Sequence, residues 1–435
     1  MKSLGLADHS QRTDSSQGCD RLKMPNLQAR STQTKVKHLI LQSYLIRWGS
    51  IIVYGLKKSY ERVSSAGGLF QARFVYIDGF AFQGRYASET VNGLPMYGSP
   101  IIGIQALDEI ESLARTETGF EPEVTTVLIE QERSYYDELL QSLESAGLGP
   151  RVQQTTDFST LRDGQISTIC GNFLDHADQL RDFTDVQYTY SFYLLDPYGP
   201  SGIPLNVVAP IIRQEHADVM INFPYQDLHK KTGSAARESR VHERHLQYYD
   251  AVYGGGNWRD VAKEFESDVA DMESRLVDLY LETLQAQDND LAIKLVPLLF
   301  PDKERTMFYL ILTTHDPTGA LAVNEILDDA KLQEHDLRIQ WKNEKFRVRS
   351  GGFIQPPLFS TAEPVIPQRP SREEIAEHIY KLCRGERIEY REVLKRIVNE
   401  PYYHTEIRGA MALLKRQKRI DYVRLRNPEL ISFKD

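Results

Sequence analysis

The chain has 435 residues, 41% of them hydrophobic and 26% charged, and a formal net charge of -9. That length predicts two or three globular domains rather than one core, and the acidic balance excludes a surface coated throughout with nucleic-acid-binding charge. Three widely spaced cysteines (Cys19, Cys170, Cys383) make neither a disulfide framework nor a zinc spacing, and the chain lacks an apolar signal core or a run of about 18 apolar residues, which predicts a cytoplasmic protein with no membrane span.

Residues 1–34, rich in Ser, Gln, Asp and Arg without periodicity, read as a disordered tail. From Lys35, apolar residues at helical spacing (Leu41, Tyr44, Leu45, Trp48) predict one or two amphipathic helices. An alternation of strands and helices follows, the pattern of a parallel sheet covered on both faces. The first strand is Phe74–Ile77, and the next helix takes Ser99 as N-cap and Pro100 at its first position. EVTTVLIEQE reads as the second strand, ending at Glu130, followed by a helix stopped by Gly147. QISTICGNF is the third, with Asn172 at its end. SFYLLDPYG and ADVMINFP are the fourth and fifth, separated by a helix from about residue 204 to 214. Helical sequence from about residue 226 to 287 reads as an insertion or cap, and ERTMFYLILTTHD supplies a sixth strand where a closing hairpin is expected. Residues 353–370 are a Pro-rich linker. Residues 371–435 hold 15 Lys+Arg against 11 Asp+Glu and read as three short helices with a two-stranded wing, a winged helix-turn-helix.

The strand ends concentrate the chemistry. In open α/β sheets, ligands bind beyond the carboxyl ends of the strands. The first strand ends at Asp78, with Gly79 and Gly84 in the turn beyond it, but the G-x-G-x-x-G spacing of dinucleotide sites is absent. At the second, Glu130 offers two oxygens that match a ribose cis-diol. The third offers the Asn172 amide to an adenine edge, and the fourth offers Asp196-Pro197-Tyr198, which resembles the Asp/Asn-Pro-Pro-aromatic turn of amino-methyltransferases, where polar oxygens orient the target amino group and the ring stacks on the base. Each also has a plain explanation in turn formation, since Asp-Pro-Tyr-Gly makes a good β-turn unaided. His242 and His245 in VHERH have a metal spacing without the ligands to complete a site, and read as a solvated helix face.

The segments KHLILQSYLIRW, YIDGFAFQGRY, GSPIIG, LLDPYG, VMINF and FYLILTTH resemble the three-Cys-motif partner protein (TcmP) family, from Lys35 to Lys345, and the basic C-terminal region resembles that family's winged helix-turn-helix. The resemblance implies a Rossmann-like class I methyltransferase sheet with helices on both faces and S-adenosylmethionine as cofactor; with no ligand set completed in the sequence, no metal is expected. The resemblance also implies a radical-SAM-like partner bearing three cysteines. On this reading Asp78, Gly79, Phe80 and Gly84 line the cofactor's methionine end, Glu130 holds its ribose and Asn172 meets its adenine. Asp196, Pro197 and Tyr198 present the methyl acceptor, a nucleic acid or nucleotide-like group, with Tyr198 or Phe223 available to stack on a flipped base. The family's loop reads Asp-Gly-Phe-Ala-Gly-Pro-Gly, and here Phe82 and Gln83 replace Gly-Pro. The alternative is a non-catalytic module on a degenerate methyltransferase fold. It would bind a partner, or DNA or RNA, through a recognition helix from His404 to Arg419.

Overall fold

The apolar spacing near the start of the chain produces one long helix, α1 (Thr32–Ser65), capped by Ser31, whose hydroxyl accepts the Thr34 N–H. Val36, Ile40, Tyr44 and Trp48, four residues apart and therefore on one face, are all buried. The computed structural model describes residues 27, 31–91, 94–197, 203–223, 240–264, 269–299, 306–330, 369–423 and 430–434. Most of the expected tail and all but the last two residues of the Pro-rich linker lie outside these. Among the described residues α1 is the one helix long and apolar enough to cross a membrane, and its apolar face packs into the core of the sheet.

Eight strands form that sheet. Across it they run β5 (Val152–Gln153), β6 (Ile166–Cys170), β4 (Glu123–Glu130), β1 (Arg73–Asp78), β7 (Thr189–Leu195), β8 (Ala217–Phe223), β10 (Thr306–Thr314) and β9 (Ala292–Leu299). All pairings are parallel except those of β10, which runs antiparallel to β8 and β9. The result is a Rossmann-like α/β sheet with helices on both faces. The continuous apolar runs of β1 and β7 follow from that double coverage. Alternate residues serve opposite sides: Val75, Ile77, Tyr193 and Val219 in one cluster, Phe74, Tyr76, Phe192 and Met220 in the other. The first is covered by α4 (Phe173–Thr184) and α5 (Leu205–Ile212), the second by α1, α2 (Ser99–Glu117) and α3 (Arg133–Ser145). The helices sit close: a Cβ on Gly103 of α2 would lie 2.0 Å from the Tyr76 ring of β1.

Several sequence expectations shift. The N-cap of α2 is Gly98, one residue before Ser99, so Pro100 falls at the second helical position. The third strand stops at Cys170, and Asn172 is instead the N-cap of α4, its Oδ1 accepting the Leu174 N–H at 3.0 Å. A hairpin of β2 (Arg85–Val91) and β3 (Leu94–Tyr97) follows the first loop and was not anticipated. Nor was β9, whose Pro297 argues against a strand; it is tolerated because β9 is an edge. The expected insertion contains α6 (Arg240–Tyr253), α7 (Trp258–Glu264) and α8 (Val269–Gln285). These are a covering layer rather than an appended cap: Met272, Leu276, Tyr280 and Leu284, four apart, are buried in the sheet's own core cluster. Most of its basic stretch, and the side chains of His242 and His245, lie outside the described residues.

Residues 317–330 form α9. Beyond it, α10 (Arg372–Cys383), α11 (Tyr390–Arg396) and α12 (His404–Arg416) surround a core that includes Ile375, Ile379, Ile407 and Leu414. A sheet of β11 (Arg387–Glu389), β13 (Leu430–Phe433) and β12 (Ile420–Val423) completes the unit, three strands rather than two. Asn399 fastens this unit to the β9 edge: its side chain accepts the Leu295 N–H and donates to the Ile293 carbonyl, each at 3.0 Å. Buried Lys294 donates to the Val398 carbonyl, and Asn324 of α9 donates to the Glu400 and Tyr402 carbonyls. An exposed row of edge backbone groups is thereby engaged.

Candidate functional site

A cleft of about 1020 Å³ opens across the carboxyl ends of β1, β4, β6 and β7. The chain builds outward from β1 to β4 and β6, then returns to place β7 and β8 on its other side, so the cleft lies where the strand order reverses. Gly79, Phe80, Gly84, Glu130, Asn172, Asp196 and Pro197, distant in sequence, all line it. Tyr198 lies outside the described residues.

Asp78 does not line the cleft. It is fully buried beneath the loop, where its Oδ1 accepts the Phe80 N–H at 3.1 Å and its Oδ2 accepts the Tyr76 hydroxyl. Burial pushes its carboxyl up to about 7, against hydrogen bonds from Ser99, the Phe80 N–H and Tyr76 that favour the ionised form. Its role is to fix the loop from below. Gly79 stays small because a Cβ there would sit 2.9 Å from the Phe173 ring, and Gly84 turns the chain at φ 71°.

Phe82 has φ 53°, a left-handed backbone that is uncommon for a bulky residue. Glu130 helps to hold it: Oε2 accepts the Phe82 N–H at 2.9 Å, while Oε1 accepts the Glu132 N–H at 2.7 Å. Burial raises the Glu130 carboxyl above the ordinary carboxylate value, and those same N–H groups pull it back. The Phe82 ring rests 4.5 Å from Tyr135 and 6.3 Å from Tyr86, forming an aromatic wall.

On the far side, Asp196 is held by two partners that sequence reasoning missed. Lys37, from the first turns of α1, forms an ion pair with its Oδ2, and Asn222 at the end of β8 donates to its Oδ1 at 2.6 Å. The Lys37 ammonium also stands over the Phe308 ring of β10 at 5.6 Å. Both residues left a trace in the sequence. Lys37 sits four positions before Leu41 and seven before Tyr44, a charge in the apolar stripe, and Asn222 interrupts an apolar strand. Phe223, expected to be available for stacking, is instead buried and lies flat against Tyr280 at 4.5 Å, because its side chain points to the opposite face from Asn222.

No family model matches the sequence, and no curated protein matches it. Among solved structures, the chain is similar to protein LPL1258 from Legionella pneumophila str. Philadelphia 1, described under the family-model DUF519, at 9% identity and a TM-score of 0.31, covering 66% of this chain and 85% of that one.

Proposed function

We propose that this chain is a cytoplasmic S-adenosylmethionine-dependent methyltransferase of the class I type, acting on nucleic acid or a nucleotide-like substrate beside a radical-SAM-like three-Cys-motif partner. The supporting observation is the convergence of the loops after β1, β4, β6 and β7 on one cleft at the strand-order reversal. An antiparallel strand beside β8 also agrees with the closing hairpin expected of a methyltransferase sheet.

The cleft residues fit the cofactor. A carboxylate offers about four lone-pair positions, and Glu130 spends some of them on backbone N–H groups of the neighbouring loops, leaving the rest for a ribose diol. Asn172 uses its Oδ1 as a cap and keeps its NH2 for an adenine acceptor. Gly79, Phe80 and Gly84 bring backbone to the methionine end, and Asp78 fixes them from beneath. The cofactor supplies an electrophilic methyl group. The protein's part is alignment, with Asp196, Pro197 and Tyr198 at the acceptor side. Ultraviolet crosslinking with methyl-labelled S-adenosylmethionine tests the placement: label should map to peptides spanning 79–86, 130–135 or 171–174. Labelling confined to peptides outside the cleft would refute it.

One observation favours the non-catalytic alternative. Phe82, standing where the family has Gly, projects its ring against Tyr135 beside the Glu130 carboxylate. In either case α10, α11, α12 and the small sheet suit a winged helix-turn-helix, with α12 as the recognition helix. Its N-terminal end is engaged within the chain, Glu406 by Arg369 and Tyr403 by Asp328. Arg419 is held by Glu377 and stacked on Tyr380. Arg408, Lys415, Arg416 and Lys418 remain exposed for phosphate contacts. DNA binding that weakens steeply with salt, and is lost on deleting residues 371–435, is the expected result. Binding insensitive to salt would remove this part.

A further inference from the structure

The acceptor side of the cleft is built to hold a cation. Asp196 supplies a carboxylate, Phe308 presents an aromatic face, and the two stand around one point, where the Lys37 ammonium lies. Beside them Asn222 spends its NH2 on Asp196, while its Oδ1 is buried with no hydrogen-bond partner among the described residues. Carboxylate, amide oxygen and ring face are acceptors throughout. Together they select a positively charged group carrying several N–H donors, since a primary ammonium has three and no acceptor of its own. A neutral amino group can meet Asp196 only while Lys37 stays to balance the carboxylate, because removing that charge partner is costly, whereas an ammonium can take the place of Lys37.

We infer that Asp196, Asn222 and Phe308 form a binding subsite for a primary alkylammonium group, and that Lys37 is its resident occupant. The side chain of Lys37 is 12% exposed and that of Asp196 21%, so the pair is sheltered without being sealed from the cleft. An incoming amine therefore enters by exchanging with Lys37, one ammonium for another, and the charge of the site is unchanged. The amine class of the ligand follows from these side chains and holds whether or not the opposite side of the cleft binds S-adenosylmethionine.

The test is replacement of the tethered ammonium by a free one. Lys37→Ala removes three carbons and the ammonium, and n-propylammonium restores them. Lys37→Ala should bind n-propylammonium, seen by calorimetry or amide chemical shifts at Asn222, about tenfold more tightly than neutral 1-propanol. The preference should vanish in Lys37→Ala/Asp196→Asn. Equal binding of the amine and the alcohol, or a preference that survives Asp196→Asn, overturns the inference. If Lys37→Ala does not fold, acylation of lysines in the full-length wild type decides: Lys37 should react more slowly than the exposed lysines and speed up in Asp196→Asn. A Lys37 rate unaffected by Asp196→Asn also overturns it. S-adenosylmethionine binding, measured separately, leaves this outcome untouched.

Discussion

At the scale of single residues, the candidate site was legible where chemistry coincides with a strand end. Glu130 and Asp196 stand at the positions read for them because a buried strand must stop before it can expose a carboxylate. Asp78 was legible as a position but not as a role. Nothing in the sequence separates an acid that faces a ligand from one that caps the loop beneath it. Lys37 was hidden by distance, since only the packing of α1 over the sheet brings residue 37 to residue 196. Phe82 is where the two functional readings divide. Its left-handed backbone costs on the order of 1 kcal/mol, which glycine would not incur. Phe82→Gly should therefore tighten S-adenosylmethionine binding severalfold by opening the loop, as read by equilibrium dialysis. Weaker binding in the variant would mean that the ring itself packs on the ligand.

Elements were legible in proportion to their periodicity. The first strand, the helix after the second, and the fifth strand are strongly patterned and fold as read. The strand β9 escaped because Pro297 breaks its pattern, and the covering role of α6–α8 escaped because their sequence is polar outside one narrow stripe. That stripe carries weight: Tyr280, 1% exposed and stacked on Phe223, anchors α8 to the sheet. Tyr280→Ala should cost about 3–5 kcal/mol in denaturant unfolding, whereas an appended cap would tolerate it at little cost. The clasp at the β9 edge makes a second prediction at this scale. Asn399→Ala removes two hydrogen bonds to β9 and should cost about 1–3 kcal/mol. Hydrogen exchange should locate the loss at the Leu295 amide. An unchanged Leu295 exchange rate would show that the clasp does not hold the edge in solution.

At the scale of the molecule, the alternating pattern of strands and helices was enough to predict a parallel sheet covered on both faces, because hydrophobic burial on two sides leaves few other arrangements. Attachment of the C-terminal unit to that sheet was not legible, since it rests on scattered side chains, among them the amides of Asn399 and Asn324 and buried Lys294. Two buried acids contribute to the response of the fold to pH. Burial raises Asp78 and Asp218 to about 7 each. In the unfolded chain they ionise near the ordinary aspartate value of about 3.9. Between about pH 4 and 7 these two groups therefore retain protons in the folded state that the unfolded state has released, so their contribution to stability falls as pH rises through that window and levels off above it. Asp218→Asn should show a smaller drop in melting temperature from about pH 5 to about pH 8 than the wild type; parallel curves would contradict the buried-acid account. The central claim is that the cleft beyond β1, β4, β6 and β7 binds S-adenosylmethionine. Calorimetric titration of the full chain tests it most directly: one saturable site is predicted in the wild type, weakened at least about tenfold in Glu130→Ala through loss of charge-assisted hydrogen bonds to the ribose. No heat of binding, or equal affinity in the two proteins, would contradict it.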